Sequence, residues 1–521
     1  MFRVGLGRKD LMYSKVISGA VYGVECKLIQ VETDVSDGLP MFEMVGFLNS
    51  CVKEAKERVR TAMKNSDFSI PPKRITVNLS PADIRKEGSS YDLPIAISIL
   101  LSMNKISQKR MEKTLIIGEL GLNGAVKKMN GVLSVVHLAK ECGFIECIVP
   151  KGNEQEAAIV TGIKVIAVES LREAYEYLVG LREVKPSVSK DDWMVKEEVG
   201  MDYSEICGQT LAKRAIEIAV AGRHNVLLVG PPGAGKSMMA QRIPTIMSDL
   251  SFEESLEITK IYSISGMLEK GGMIKKRPFR SPHHTIPKAA LVGGGRIPKV
   301  GEITLSHGGV LFLDELPEFD KSVIEVLRQP LEEKKMVISR VYGNFSFPAD
   351  FMLVAAMNPC PCGNYPDLNR CTCTPTMVRR YQGKISQAFL ERVDINVEVS
   401  AVKFEQLSQK GEGESSEQIK KRVEQAVEFQ RNRYKEEAIS FNSQMNGKMV
   451  EKYCVLGNTE KELLKNYFDK KKMSARSYHR VLKVARTIAD LSKSETITQI
   501  HLLEALSYRN SLNHEEGGMK Q

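Results

Sequence analysis

The segment Asn225–Ser237, NVLLVGPPGAGKS, constrains the fold of this chain more than any other stretch. Val226 to Val229 read as a buried apolar strand, Gly230-Pro231-Pro232-Gly233-Ala234-Gly235-Lys236-Ser237 as a phosphate-binding loop, and a helix is expected from Met238. Glycines let a loop of this kind turn its N–H groups inward, and the helix that follows adds the positive end of its dipole. Lys236 then places a cation on the β- and γ-phosphates, and the Ser237 hydroxyl can ligate magnesium. ATP with Mg2+ is the expected cofactor pair.

A second strand carries the acids. Gly309–Leu316 reads GVLFLDEL, a fully apolar run that delivers Asp314 and Glu315 to its carboxyl end. In a parallel sheet that edge is where ligands bind. Asp314 is expected to hold magnesium through its water shell, and Glu315 to polarise the attacking water as a general base. A third strand, Phe351 to Met357, ends in Asn358, whose amide can orient the water or touch the γ-phosphate. Arg392, in FLERVDINVEV, and Arg476, in SARSYHRVLKVARTIADL, can stabilise charge on a transferring phosphoryl group.

These elements belong to the middle of a 521-residue chain, long enough for two or three domains. Before them, Lys27 to Asp34 and Arg74 to Leu79 read as strands, and Val52 to Lys64 and Asp92 to Leu101 as helices. The expected division is an extension over 1–11, a domain over 12–181, a charged linker over 182–200, an α/β core over 201–400 and a helical region over 401–521. Apolar residues at 42% and charged residues at 26% fit a globular protein. The net charge of +10 permits a polyanionic partner without demanding one. The N-terminus lacks the apolar core of a signal peptide, and the run Ile95 to Met103 is too short to span a membrane. A cytoplasmic location is expected, where ten cysteines argue for free thiols and a metal site over disulfides.

Four of those cysteines form a pattern. Cys360-Pro-Cys362 and Cys371-Thr-Cys373 are separated by eight residues and can make a tetrahedral zinc site. Four reduced loop thiols are the alternative, since Cys-x-Cys is tighter than the usual spacing. Zn2+ held there would staple the loop after Asn358 and, with no open position, would be structural. His283 and His284 are neighbours on a segment read as extended, so their side chains are expected on opposite faces and not around one ion.

Together the strings DVSDGLPMFEMVG, PPKRITVNLSPADIRKEG, GPPGAGKS, RPFRSPHHTIPKAALVGGG, GVLFLDELPEF, NPCPCG and RCTCTP resemble the ComM/YifB family of magnesium-chelatase-like AAA+ ATPases. The resemblance runs from about Tyr13 to Tyr508. It implies a ribosomal-protein-S5-like, Lon-protease-like α+β domain, an AAA+ phosphate-loop α/β core with a parallel sheet, and a helical C-terminal lid. It also implies that Arg392 is an arginine finger and Arg476 a sensor-two arginine. A finger works in a neighbour's site, so a homo-hexameric ring is implied, with the loop Gly293-Gly294-Gly295-Arg296 near its centre.

The segment KEGSSYD resembles the nucleophile turn of Lon-type peptidases, with Ser90 at the serine position. A serine nucleophile needs a base within reach. Leu133 or Ser134 stands where the lysine of that family would lie, while Lys127 and Lys128 are a few residues upstream. No peptidase substrate is therefore expected, and Ser90 is read as a helix cap.

Three substrates compete for the motor. The resemblance implies DNA, with branch migration of recombination intermediates as in natural transformation. The alternatives are a chelatase-like motor for metal insertion into a tetrapyrrole and a Lon-like peptidase. The helix from Ser474 places Tyr478, Val481, Leu482, Ala485 and Ala489 on one face and Arg476, Arg480 and Lys483 on the other. Further cations cluster at Lys275-Lys276-Arg277-Arg280, Arg379-Arg380 and Lys470-Lys471-Lys472. Without a base-reading motif, DNA contacts would be to phosphates.

Overall fold

The computed structural model describes residues 13–189, 200–268, 272–295, 299–340, 343–401, 413–471 and 473–509. The expected extension 1–11, most of the 182–200 linker, Arg296 and Lys472 lie outside them. The described residues form two compact units. The first holds those up to 189 together with parts of 255–274 and 339–346, and the second holds the rest.

The first unit is built on a seven-stranded mixed sheet, in the order Met41–Val45, Arg74–Ser80, Glu25–Ser36, Tyr13–Tyr22, Thr114–Ile116, Glu146–Pro150, Lys164–Val168. Alternation sets the register: in Arg74–Ser80, Ile75, Val77 and Leu79 are buried while Thr76 and Asn78 are partly exposed. The helix Asp92–Ser102 is buried at every position. Its buried serines, Ser98 within it and Ser102 at its end, are tolerated because they donate to the carbonyls of Ile95 and Ile99, each at 2.8 Å. The helix expected from Val52 begins as a separate turn, Ser50–Lys53, in which the Asn49 side chain caps the Val52 N–H, and continues as Ala55–Asn65.

The second unit holds a five-stranded sheet in the order Phe279–Arg280, Val310–Leu313, Met352–Met357, Val226–Val229, Ile395–Glu398. Every pairing is parallel. The three inner strands are buried at every residue, as a sheet covered on both faces requires. Parallel pairing brings all their carboxyl ends to one edge, so the loops after Val229, Leu313 and Met357 emerge side by side. This is an AAA+-like core.

The C-terminal part is helical: Ser416–Arg433, Gly447–Tyr453, Asn458–Lys471, Ala475–Leu491 and Gln499–Ser507. These helices share one apolar core with the sheet, in which Ile216, Val226, Phe312, Val354 and Ile395 are continuous with Val423, Val481 and Leu502. Among the described residues no helix is long and apolar enough to cross a membrane.

Candidate functional site

The loop after Val229 needs its glycines for two different reasons. At Gly230 a Cβ would lie 2.2 Å from the Val399 carbonyl oxygen, so close backbone approach forbids a side chain. Gly233 and Gly235 have open space around them but take φ of +74° and +87°, the left-handed region that glycine enters without strain. Gly235 caps the helix Lys236–Ile246, whose first N–H groups therefore face the loop. The Lys236 ammonium is folded into the loop, donating to the carbonyls of Gly230 (2.7 Å) and Pro231 (2.8 Å) and to the Asn358 amide oxygen (3.1 Å). Burial lowers its proton affinity, against the pull of Asp314 and Glu315. Ser237 donates to Asp314 Oδ2 at 2.5 Å, and Asp314 Oδ1 accepts the Glu315 N–H at 2.9 Å. Lys236, Ser237, Asp314 and Asn358 thus converge from three strand ends. The Ser237 and Asp314 oxygens are hard donors of the kind magnesium takes.

Glu315 has a φ of +52°, uncommon for a residue with a side chain, and its carboxylate is 61% exposed. His284 Nδ1 lies 3.6 Å from Glu315 Oε2. The two residues meet because Phe279–Arg280 runs parallel to Val310–Leu313, so the segment after each leaves the same edge. The histidine pair departs from expectation here. The chain turns at His284–Thr285, and the rings of His283 and His284 lie together with centroids 4.1 Å apart, not on opposite faces. The contact of His284 with the acid was missed from sequence, and its signal was a polar pair placed just after an edge strand.

Gln209 was also missed. Held at a φ of +58° before the helix Thr210–Gly222, it donates to the carbonyls of Ala234 (3.2 Å) and Ser400 (2.6 Å), tying the phosphate loop to the last strand. Beside it, Ser204, Ile206, Cys207, Gly208 and Lys213 line a cavity of about 400 Å³.

The two arginines are not brought to this cluster. Arg392 is 5% exposed and pairs with Glu332 at 2.6 Å, its Nε buried without a partner. Burial and the positive charges of Arg328, Arg476 and Arg480 weaken its hold on its proton, while Glu332 opposes them. Arg476 is exposed and close enough for its field to act on Arg392. Two residues beyond Arg392, burial alone would raise the Asp394 carboxyl. Arg480, His224 and the Asn225 N–H instead hold it far below the usual carboxylate range. The 2.9 Å bond from Arg480 to Asp394 ties the strand that follows Arg392 to the helix that begins at Ala475.

Several expected DNA-facing cations are instead engaged by other groups of the protein. Arg480 pairs with Asp394, Lys483 donates to the Ser443 carbonyl, Arg277 is buried against Glu254, and Arg280 binds Glu302. Lys276, Arg379, Arg380, Lys470, Lys471 and Arg476 are exposed.

The four cysteines converge. The Sγ atoms of Cys360, Cys362, Cys371 and Cys373 lie within 4.8 Å of one another. The separations are 3.3 Å for Cys360–Cys362, 3.6 Å for Cys362–Cys371 and 3.8 Å for Cys360–Cys371. Four thiolates at about 2.3 Å from a zinc ion span a tetrahedron with edges of about 3.8 Å, so the donor set fits. A hydrogen bond from the Asn364 backbone, the largest influence, helps bring the Cys362 thiol down to about 5.

In the first unit Leu133 is fully buried and its N–H donates to Glu156. Lys127 lies 3.7 Å from Glu119, which also accepts from Ser89. Ser90 is not a helix cap: Tyr91 holds that position without a side-chain bond, and the Ser90 carbonyl accepts from Gly118.

Comparison with known proteins agrees with this architecture. The family described as magnesium chelatase, subunit ChlI, matches residues 202–407; the subunit ChlI of Mg-chelatase matches 31–153, and its C-terminal region 413–509. The chain is 41% identical over 502 residues to competence protein ComM of Haemophilus influenzae, covering 95% of this chain and 97% of that one. It is 40% identical over 497 residues to YifB of Escherichia coli, with 95% and 97% covered. It is 36% identical over 499 residues to Rv2897c of Mycobacterium tuberculosis, with 95% and 98% covered. The chain belongs to the ComM/YifB family of magnesium-chelatase-like, AAA+-like ATPases.

Proposed function

We propose that this protein is an ATP-hydrolysing ring motor, assembled as a homo-hexamer, that remodels branched DNA. The observation that carries the ATPase half is the convergence of Lys236, Ser237, Asp314 and Asn358 at one sheet edge. Lys236 leaves the loop carbonyls for the β- and γ-phosphates, Ser237 and Asp314 hold magnesium, and Asn358 and Glu315 direct the water. Arg392, a neighbour's finger, and Arg476, a sensor, lie close enough for the charge of Arg476 to weaken the hold of Arg392 on its proton, with Glu332 opposing it. The three-part division 12–181, 201–400 and 401–521 places a Lon-protease-like domain before the motor. Leu133 or Ser134, both buried and neither a base, at the position where a lysine would stand supports a domain without peptidase chemistry.

The DNA half is supported by the family, whose Haemophilus member is named a competence protein, and by the net charge of +10 with exposed cations including Arg379, Arg380, Lys470 and Lys471. Contacts of this type are to phosphates, so affinity for a four-way junction should fall by about 100-fold or more between roughly 50 and 200 mM salt and vary little with sequence. Junction DNA should also raise the ATPase rate. Titration of the junction across a salt series, with ATP turnover followed in parallel, tests this. Binding weaker than micromolar at low salt with no stimulation transfers the motor to the tetrapyrrole-chelatase reading.

The cysteine cluster is a structural zinc site in this proposal. Zinc bound by four thiolates supplies a rigid cross-link and no open position for chemistry. Purified protein should contain about one zinc per chain, and Cys371→Ser should lower that content. Elemental analysis of both proteins decides the matter, and metal-free wild type with full activity leaves four plain thiols.

A further inference from the structure

The thiol loop and the phosphate loop are walls of one cleft. Asn358, which accepts from Lys236, is separated from Cys360 by Pro359 alone. The Pro359 carbonyl accepts from Gln382 at 3.0 Å, and Cys360 is fully buried with the Tyr365 N–H on its sulfur at 3.4 Å. The loop then turns through Gly363, at a φ of +82°, directly against Pro232: a Cβ at Gly363 would lie 2.4 Å from Pro232 Cδ. Pro232 stands inside the phosphate-loop sequence, one residue before Gly233. Pro231, Pro359, Tyr365 and Cys373 further line a shared cavity of about 330 Å³.

From this packing we infer that metal at the four thiolates and nucleotide at the phosphate loop bind with positive linkage, transmitted through the Gly363–Pro232 contact and through Pro359–Asn358. The inference rests on the zinc reading given above. Without the metal, the segment from Cys360 to Cys373 loses its cross-link and recovers the conformational freedom that loop closure removed. Gly363 then no longer backs Pro232, and the phosphate loop and Asn358 must be ordered by the nucleotide itself. Linkage is reciprocal, so whatever factor zinc adds to nucleotide affinity, nucleotide must add to zinc affinity.

The test uses the full chain. Its zinc content is measured first, and the metal is then removed with a zinc-selective chelator while magnesium is kept constant and circular dichroism monitors the fold. The dissociation constant of a fluorescent ADP analogue is measured for loaded and stripped protein, and the zinc affinity with and without ADP against a competing metallochromic chelator. Stripping should weaken ADP by about five- to tenfold, and ADP should tighten zinc by the same factor. Equal ADP affinity in loaded and stripped protein overturns the linkage while leaving the zinc site intact. A chain that holds no zinc overturns the zinc reading, and the linkage with it, at the first measurement. Gly363→Ala keeps all four thiols, forces a methyl against Pro232 and strains a turn held at positive φ, so its zinc content is measured before its ADP affinity is read. It should retain about one zinc per chain and still bind ADP more weakly; full zinc with wild-type ADP affinity rules out the Gly363–Pro232 route.

Discussion

Lys236→Ala should raise the dissociation constant for ATP by about 100-fold, whereas Glu315→Gln should leave it within about threefold and reduce turnover by roughly 100- to 10,000-fold. The separation follows from geometry. Lys236 already sits in the loop donating to the Gly230 and Pro231 carbonyls, which phosphate oxygens would replace as its acceptors. Its charge-assisted contacts are worth roughly 2–3 kcal/mol, or about two decades of affinity. The Glu315 carboxylate touches neither Lys236 nor Ser237; its side-chain neighbour is His284, and its tie to Asp314 runs through the backbone N–H. A neutral amide preserves that arrangement and removes only the base. Fluorescent-nucleotide titration and steady-state phosphate release on both variants check the pair of effects. Equal loss of binding in both removes Glu315 from the role of base.

Arg392→Ala should lose about 1,000-fold in turnover while binding nucleotide normally, and a mixture with Lys236→Ala protein should recover activity. The buried Arg392 guanidinium pairs with Glu332 and feels the charges of Arg328 and Arg480, which have their own carboxylates in Glu325 and Asp394, and of the exposed Arg476. Such a group favours an incoming anion, and a nucleotide phosphate on an adjacent subunit supplies one. In an equal random mixture, about one quarter of interfaces join an intact phosphate loop to an intact finger, so turnover should return to roughly that fraction. Glu332 is 48% exposed and stays hydrated when its partner goes, but Arg392 is itself buried and its stem packs inside the protein, so thermal unfolding of the variant is measured before its turnover is read. Absence of rescue after subunit exchange has been demonstrated would show that Arg392 does not act between chains.

The phosphate loop and the acid strand were legible because their chemistry is local. Strand, glycines, lysine and first helical turn are contiguous, and the buried run of Val310–Leu313 announces its own depth. Contacts between distant segments were not legible. Periodicity correctly gave the helix Ala475–Leu491 an apolar face with Val481, Leu482, Ala485 and Ala489. It could not say that the opposite face meets protein as well, where Arg480 finds Asp394 and Lys483 finds the Ser443 carbonyl. Alternating hydrophobicity separates apolar from polar and is silent on whether a polar face is wet. The histidine pair failed for a related reason: side-chain alternation holds for an extended chain, and the chain turns at His284. The four cysteines stood between these cases, since their spacing allowed a cluster and the turns of the intervening loop, the one through Gly363 among them, close it.

The different duties of the glycines decide which variants can be interpreted as chemical knockouts. A substitution at Gly230 collides with the Val399 carbonyl and pushes apart two strands of the sheet, so an inactive Gly230 variant reports on folding. Gly233 and Gly235 have room for a side chain, and there an added Cβ alters only the backbone's preferred rotation. An inactive variant at either of these positions, folded as judged by spectroscopy, speaks to phosphate handling itself. In a collection of disabling mutations across this loop, the first glycine and the later two therefore belong in separate columns: one measures whether the scaffold assembles, the others whether the assembled scaffold can grip.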